Sequence, residues 1–135
     1  MSLTPEQLAT LRAAADRIIP ADEHPSASQL GVIDFLNGLM IQEGLEAIYS
    51  EGLDGLERES QILYGSKFVD LDARDQDHLL SSLETGATRS LWSIAPQEFF
   101  ELLARQTIEG FYADPGNGGN RDEAAWKMIG FRVTS

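Results

Sequence analysis

The sequence predicts an all-α fold, a single compact helical domain of about five to six helices with a long glycine-rich loop near its C-terminus. Three observations predict it. Apolar residues recur at helical spacing through most of the chain. Helix start and stop signals punctuate that pattern: Thr4-Pro5, Asp72 and Pro96 as starts, Pro20, Gly65 and Gly86 as stops. No stretch alternates apolar and polar residues between turn signals, so no sheet is expected. The 135 residues fit one domain, 1–135, with no internal repeat and no compositional shift that would mark a linker.

The first helix begins at Thr4. A hydroxyl N-cap, Pro5 at the first helical position and Gln7 three residues on form a capping box. Leu8, Leu11, Ala15 and Ile18 form its apolar face, and Pro20 stops it. A polar loop follows, and Ser26 or Ser28 caps a second helix with Val32, Phe35, Leu36, Leu39 and Met40 on its buried side. The third segment runs from about Glu43 to Leu63, with Leu45, Ile48, Tyr49, Leu56, Ile62 and Leu63 as expected core positions. Gly52 and Gly55 each weaken it by about 1 kcal/mol relative to Ala, which predicts a break there. A fourth helix starts from Asp72, carries Leu79, Leu80 and Leu83, and ends at Gly86. A fifth starts near Pro96 with Phe99, Phe100, Leu102, Leu103 and Ile108 inward.

Composition excludes several function classes. Asp and Glu number 22 against 10 Lys and Arg, a net charge of −12 that repels nucleic-acid backbones and anionic membranes. There is no cysteine, so a disulfide scaffold, a thiolate-held iron–sulfur site, a Cys nucleophile and covalent haem attachment are all excluded. No apolar run is long enough to span a bilayer. The opening MSLTPEQL has neither a basic n-region nor an apolar h-region. As written it points to the cytoplasm, and to the periplasm if a leader was removed.

The candidate chemistry is sparse. His24 and His78 are the only histidines, and Asp75-x-x-His78 places two ligand types on one helix face. The acids Asp70, Asp72, Asp75 and Asp77 invite a calcium reading. An EF-hand register from Asp70 fails, with Arg74 at position 5, Asp75 at position 6 and Ser81 at position 12. Acids near a helix N-terminus are the simpler account, because the macrodipole favours them. No serine-hydrolase elbow, zinc-protease or P-loop motif is present. From the residues alone, a stand-alone metal-dependent enzyme and a calcium-binding interaction module remain alternatives, both resting on Asp70–Asp77 and His78.

The stretch Gly116-Asn117-Gly118-Gly119-Asn120-Arg121 holds only the first two glycines of a dinucleotide fingerprint, and a helix rather than a strand precedes it. Asn120 and Glu123 have capping-box spacing for a short helix over 124–129. Ordering five such residues costs on the order of 5–10 kcal/mol, which small side chains do not recover by burial. Either the loop stays mobile or something larger packs on it, and the flanking aromatics, Phe111, Tyr112, Trp126 and Phe131, are of the kind enriched at interfaces. Phe111 is expected in the domain's own core.

Six stretches in order carry a resemblance: LTPEQLATLRAAADRIIPAD, GVIDFLN, YSEGLDGLERES, GSKFVDLDARDQDHLL, QEFFELLARQTIEGFYADP and GNGGNRDEAAWKMIGF. Through them the chain resembles the gluconate 2-dehydrogenase subunit 3 family, the small (gamma) subunits of flavin dehydrogenase complexes. The resemblance implies a non-catalytic accessory subunit. It would bind and stabilise or mature a large FAD-containing catalytic subunit of the glucose–methanol–choline oxidoreductase type, acting on a sugar or sugar acid. A c-type cytochrome is a third subunit in many such complexes. No cofactor is expected on this chain itself, with FAD in the partner, and no catalytic, cofactor-binding or metal residues transfer. The pattern positions that carry over as partner-interface candidates are Ile19, Pro20, Asn117, Gly118, Gly119, Asn120, Trp126 and Phe131. Many family members carry a twin-arginine leader, which is not seen here.

Overall fold

A computed structural model describes residues 3–19 and 31–113 of the chain. Five α-helices are found among them: α1 (Pro5–Ile18), α2 (Val32–Glu43), α3 (Glu46–Tyr64), α4 (Ala73–Thr85) and α5 (Pro96–Ala113). A single 3-10 turn, Phe68–Asp70, links α3 to α4, and no strand occurs among the described residues. The all-α expectation therefore stands. The glycine-rich loop and the short helix expected over 124–129 lie outside the described residues, as do Ser26, Ser28 and His24.

The helix ends follow local chemistry. Thr4 and Gln7 form the full capping box: the Gln7 N–H donates to Thr4 Oγ1 at 3.1 Å, and the Thr4 N–H donates to Gln7 Oε1 at 2.9 Å. The Gln7 amide then donates to Ser50 Oγ at 2.8 Å and to Asp54 Oδ1 at 3.1 Å, so the cap also ties α1 to α3. Asp72 caps α4 by accepting the Asp75 N–H at 2.9 Å. Helices α2, α3 and α4 end at Gly44, Gly65 and Gly86, all with positive φ. The start of α2 differs from expectation. Gly31 is its N-cap residue, in the left-handed region, and no side chain bonds the first turn.

Helix α5 is the hub, packing against each of the other four. Its inward side, with Phe99, Phe100, Leu103, Ile108 and Phe111, meets Leu11, Ala15 and Ile18 of α1, Leu36 and Met40 of α2, and Leu79 and Leu83 of α4 in one buried cluster. Burying side chains of this size contributes about 1.5–3 kcal/mol each. A long polar tie inside is Tyr49 Oη, which donates to Gln106 Oε1 at 2.7 Å between α3 and α5. Burial raises the Tyr49 phenol pKa well above its ordinary value, so it remains a neutral donor.

Two expectations for α3 are corrected. The helix does not break at Gly52 or Gly55; it runs unbroken for 19 residues. Both glycines face inward and let aromatic rings approach the helix backbone. A Cβ at Gly52 would collide with the Phe99 ring, and one at Gly55 would lie 2.7 Å from the Trp92 indole. The helical cost of glycine is offset by this contact. Trp92 and Phe99 stack tilted at 6.4 Å, and Phe99 meets Tyr49 edge-on at 5.9 Å. The second correction concerns Ile48 and Ile62. Both were expected in the core, and both are exposed, at 36% and 53%. The inward arc of α3 is Tyr49, Gly52, Leu53, Leu56 and Ser60, and its apolar pattern extends past that arc on one side.

Replacing Gly52 with Ala tests the close approach. Helix propensity alone favours Ala by about 1 kcal/mol. Overpacking against Phe99 costs about 1–3 kcal/mol and should win, lowering the urea midpoint. An unchanged or raised midpoint would refute the close packing.

Candidate functional site

The most built feature of the structure is the connection between α4 and α5, residues 87–95. It packs along α3 from Glu59 to Glu51, and Gly55 leaves room for Trp92 between them. The group that organises it is the Glu59 carboxylate, 2% exposed. Glu59 Oε1 accepts the Arg89 N–H at 2.8 Å, and Oε2 accepts the Ser90 N–H at 2.8 Å. Oε2 also accepts the Ser90 hydroxyl in a short hydrogen bond, and the Trp92 indole N–H at 3.3 Å. A buried carboxylate is expensive unless it is hydrogen-bonded, and here every donor comes from the one loop. Burial alone would raise the Glu59 pKa. The hydrogen bonds from Ser90, Arg89 and Trp92 outweigh it and hold the carboxyl below its ordinary range.

Arg58 closes the loop from outside. Its Nε donates to Ser90 Oγ at 3.3 Å, its Nη2 donates to Leu91 O at 2.9 Å, and its guanidinium carbon lies 5.9 Å from the Trp92 ring centre. Ser93 adds a hydroxyl bond to Glu51 at 2.7 Å. The loop is thus fixed on both sides of its bend. At its tip the Leu91 side chain is 94% exposed and makes no contribution to the core. The exposed Ile48 and Ile62 lie seven residues before and after Gly55 on α3, along one stripe of that helix, about 10 Å to either side of Gly55.

Two acids of the cluster have structural partners. Asp72 is the α4 cap, and Asp77 takes a bidentate bond from Arg17 at 2.7 and 3.0 Å. His78 Nδ1 meets Tyr64 Oη at 2.9 Å. Among the described residues no three His, Asp or Glu side chains gather as a metal site. A groove of about 200 Å³ between α1 and α3 is bounded by Gln7, Thr10, Asp54, Glu57, Lys67 and Val69. It is below the usual size of a ligand pocket. Gln7 bonds Asp54 across it, and Glu57 accepts from Phe68 N at 3.2 Å, so its walls are already tied to each other.

Of the interface candidates, Ile19 is described. It is 0% exposed and is the C-cap residue of α1, its N–H bonded to Ala15 O at 2.9 Å. Pro20, Asn117, Gly118, Gly119, Asn120, Trp126 and Phe131 lie outside the described residues. Phe111 is 1% exposed, in the core as expected. Sequence reading missed the Glu59 loop. Its signals were a glutamate within a run of apolar and small residues on the inward side of α3, and a tryptophan in a connection otherwise rich in small residues.

A small helical domain whose chief device is an internally clamped loop is built as a module, with the clamp holding its own chain in place. The sequence pattern described as gluconate 2-dehydrogenase subunit 3 matches residues 5–132. The chain belongs to the gluconate 2-dehydrogenase subunit 3 family. Membership implies a multi-subunit dehydrogenase complex. No described helix is long and apolar enough to cross a membrane. No curated protein and no solved structure matches the chain.

Replacing Glu59 with Gln tests the clamp. The amide presents N–H to loop donors and leaves at least one buried donor unpaired, for a loss of about 1–3 kcal/mol at neutral pH. Because the folded-state pKa is lowered, the Glu59 contribution is present above the unfolded value, 4.5, and disappears as pH falls through the folded value. The stability gap between wild type and Glu59→Gln should therefore be widest near pH 7 and narrow below pH 4.5. A gap independent of pH, measured by denaturant titration, would contradict the ionised clamp.

Proposed function

We propose that this chain is the non-catalytic small subunit of a flavin-dependent sugar or sugar-acid dehydrogenase. It binds the large FAD-containing subunit, of the glucose–methanol–choline oxidoreductase type, and stabilises or matures it. The observation that carries this reading is the family match over residues 5–132, nearly the whole chain. The clamped 87–95 connection supports it, since a surface ordered before binding loses less entropy on association. Binding the native flavoprotein and not its unfolded form stabilises that protein by mass action, about 2.7 kcal/mol when the small subunit is at 100 times its Kd. FAD belongs to the partner in this reading, and a c-type cytochrome is a candidate third subunit.

Co-expression with a candidate large flavoprotein subunit from the same source tests the reading. The expected result is a yellow heteromeric complex in which the flavoprotein retains FAD and its activity. A flavoprotein that folds, keeps FAD and turns over equally well when expressed alone would contradict it.

A further inference from the structure

We propose that the groove between α1 and α3 receives one long basic side chain, arginine or lysine, from the flavoprotein subunit. The inference rests on the reading above and names one contact of that complex. The groove holds about 200 Å³, which leaves room for a side chain rather than a cofactor. Leu53, which is buried, and Ala9, half-buried, give it apolar lining, with Val69, 39% exposed, beside them. Three carboxylates, Glu6, Asp54 and Glu57, share the lining with a single cation, Lys67. Neutral donors serve two of the three: Gln7 bonds Asp54, while Gln61 and the Phe68 N–H bond Glu57. Glu6 and Asp54 are exposed, and among the described residues no cation pairs with either. The groove therefore combines an apolar lining with uncompensated negative charge.

That combination selects the occupant. A wholly apolar side chain would strip water from the carboxylates and give nothing back. A bare metal ion does not fit either, because among the described residues no three acids gather closely enough to hold one. A lysine or arginine side chain meets both demands. Its methylene stem lies on the apolar lining, and its charged head reaches Glu6 or Asp54. The net charge of −12 draws a basic surface toward this one and, by the same sign, repels a second copy. The walls are also set in advance. Gln7 bonds both Ser50 and Asp54 and so ties α1 to α3, which leaves little ordering to lose on docking.

The test displaces labelled wild-type chain from the purified complex with unlabelled variants. Glu6→Gln and Asp54→Asn should each weaken binding about fivefold at low salt, and the loss should shrink as salt rises. The asparagine amide still offers Gln7 an acceptor, so the wall stays tied. Ala9→Leu fills the groove at constant charge and should weaken binding about tenfold. Glu84→Gln, at an exposed acid on α4, changes the net charge equally and should leave affinity within about twofold. Unchanged melting temperatures of the isolated variants separate lost docking from lost folding. The two isosteric variants carry the test even if the Ala9 replacement destabilises the fold. If they lose no more than Glu84→Gln while wild type forms the complex, the groove is wrong and the accessory-subunit reading stands. If wild type itself forms no complex with the flavoprotein, that reading fails and the inference goes with it. Wild-type chain that binds free n-butylammonium at the groove, while the variants compete normally, would assign it to a small amine and overturn the docking. A wild-type homodimer that Glu6→Gln dissociates would assign it to a second copy and do the same.

Discussion

One buried carboxylate determines the arrangement around the third helix. Glu59 lies inside the domain, and its charge is matched by two amides, a hydroxyl and an indole N–H, all from residues 89–92. Removing a charge from water costs several kcal/mol unless such donors replace the lost hydration. The dependence runs both ways. The loop has no core of its own and is ordered by the carboxylate, while the carboxylate is tolerated in the interior because the loop covers it. Trp92, held by the same group, then fills the space that Gly55 leaves on α3, and Phe99 does the same at Gly52 one turn earlier. The packing of α5 on α3 follows from that sequence of contacts.

The fold was largely legible. Capping residues at Thr4 and Asp72, glycine stops at Gly65 and Gly86, and the start of α5 at Pro96 all appear where local chemistry predicts. These are interactions between residues three or four apart, and sequence spacing reports them directly. What failed at α3 has the opposite character. A glycine in a helix looks like weakness when only propensity is counted, because the ring that needs the missing Cβ comes from some 40 residues away in the chain. Ile48 and Ile62 were placed in the core because an apolar residue at helical spacing carries no mark of which arc of the helix is buried.

The clamped loop was less legible for the same reason. Glu59 reads as one more acid in a chain with 22 of them, and only its helical register with Gly55, Leu56 and Leu63 places it on the inward side. Its donors are 30 to 33 residues downstream. Leu91 gives no periodic signal, since it lies in no helix. The acidic cluster, by contrast, attracted attention as a cation site because charge density is visible in sequence while pairing is not. Asp72 capping α4 and Asp77 on Arg17 are local and long-range answers to that same charge. Family membership fixes the dehydrogenase-subunit context.

The central claim is that the loop is ordered in the free chain, by Glu59, before any partner arrives. Amide hydrogen exchange of the isolated protein tests this most directly. The Arg89 and Ser90 amides should exchange only through opening of the α3–α5 packing, with protection approaching that of the core helices. Exchange of both amides at the rate of an unstructured peptide, in an otherwise protected domain, would contradict the account.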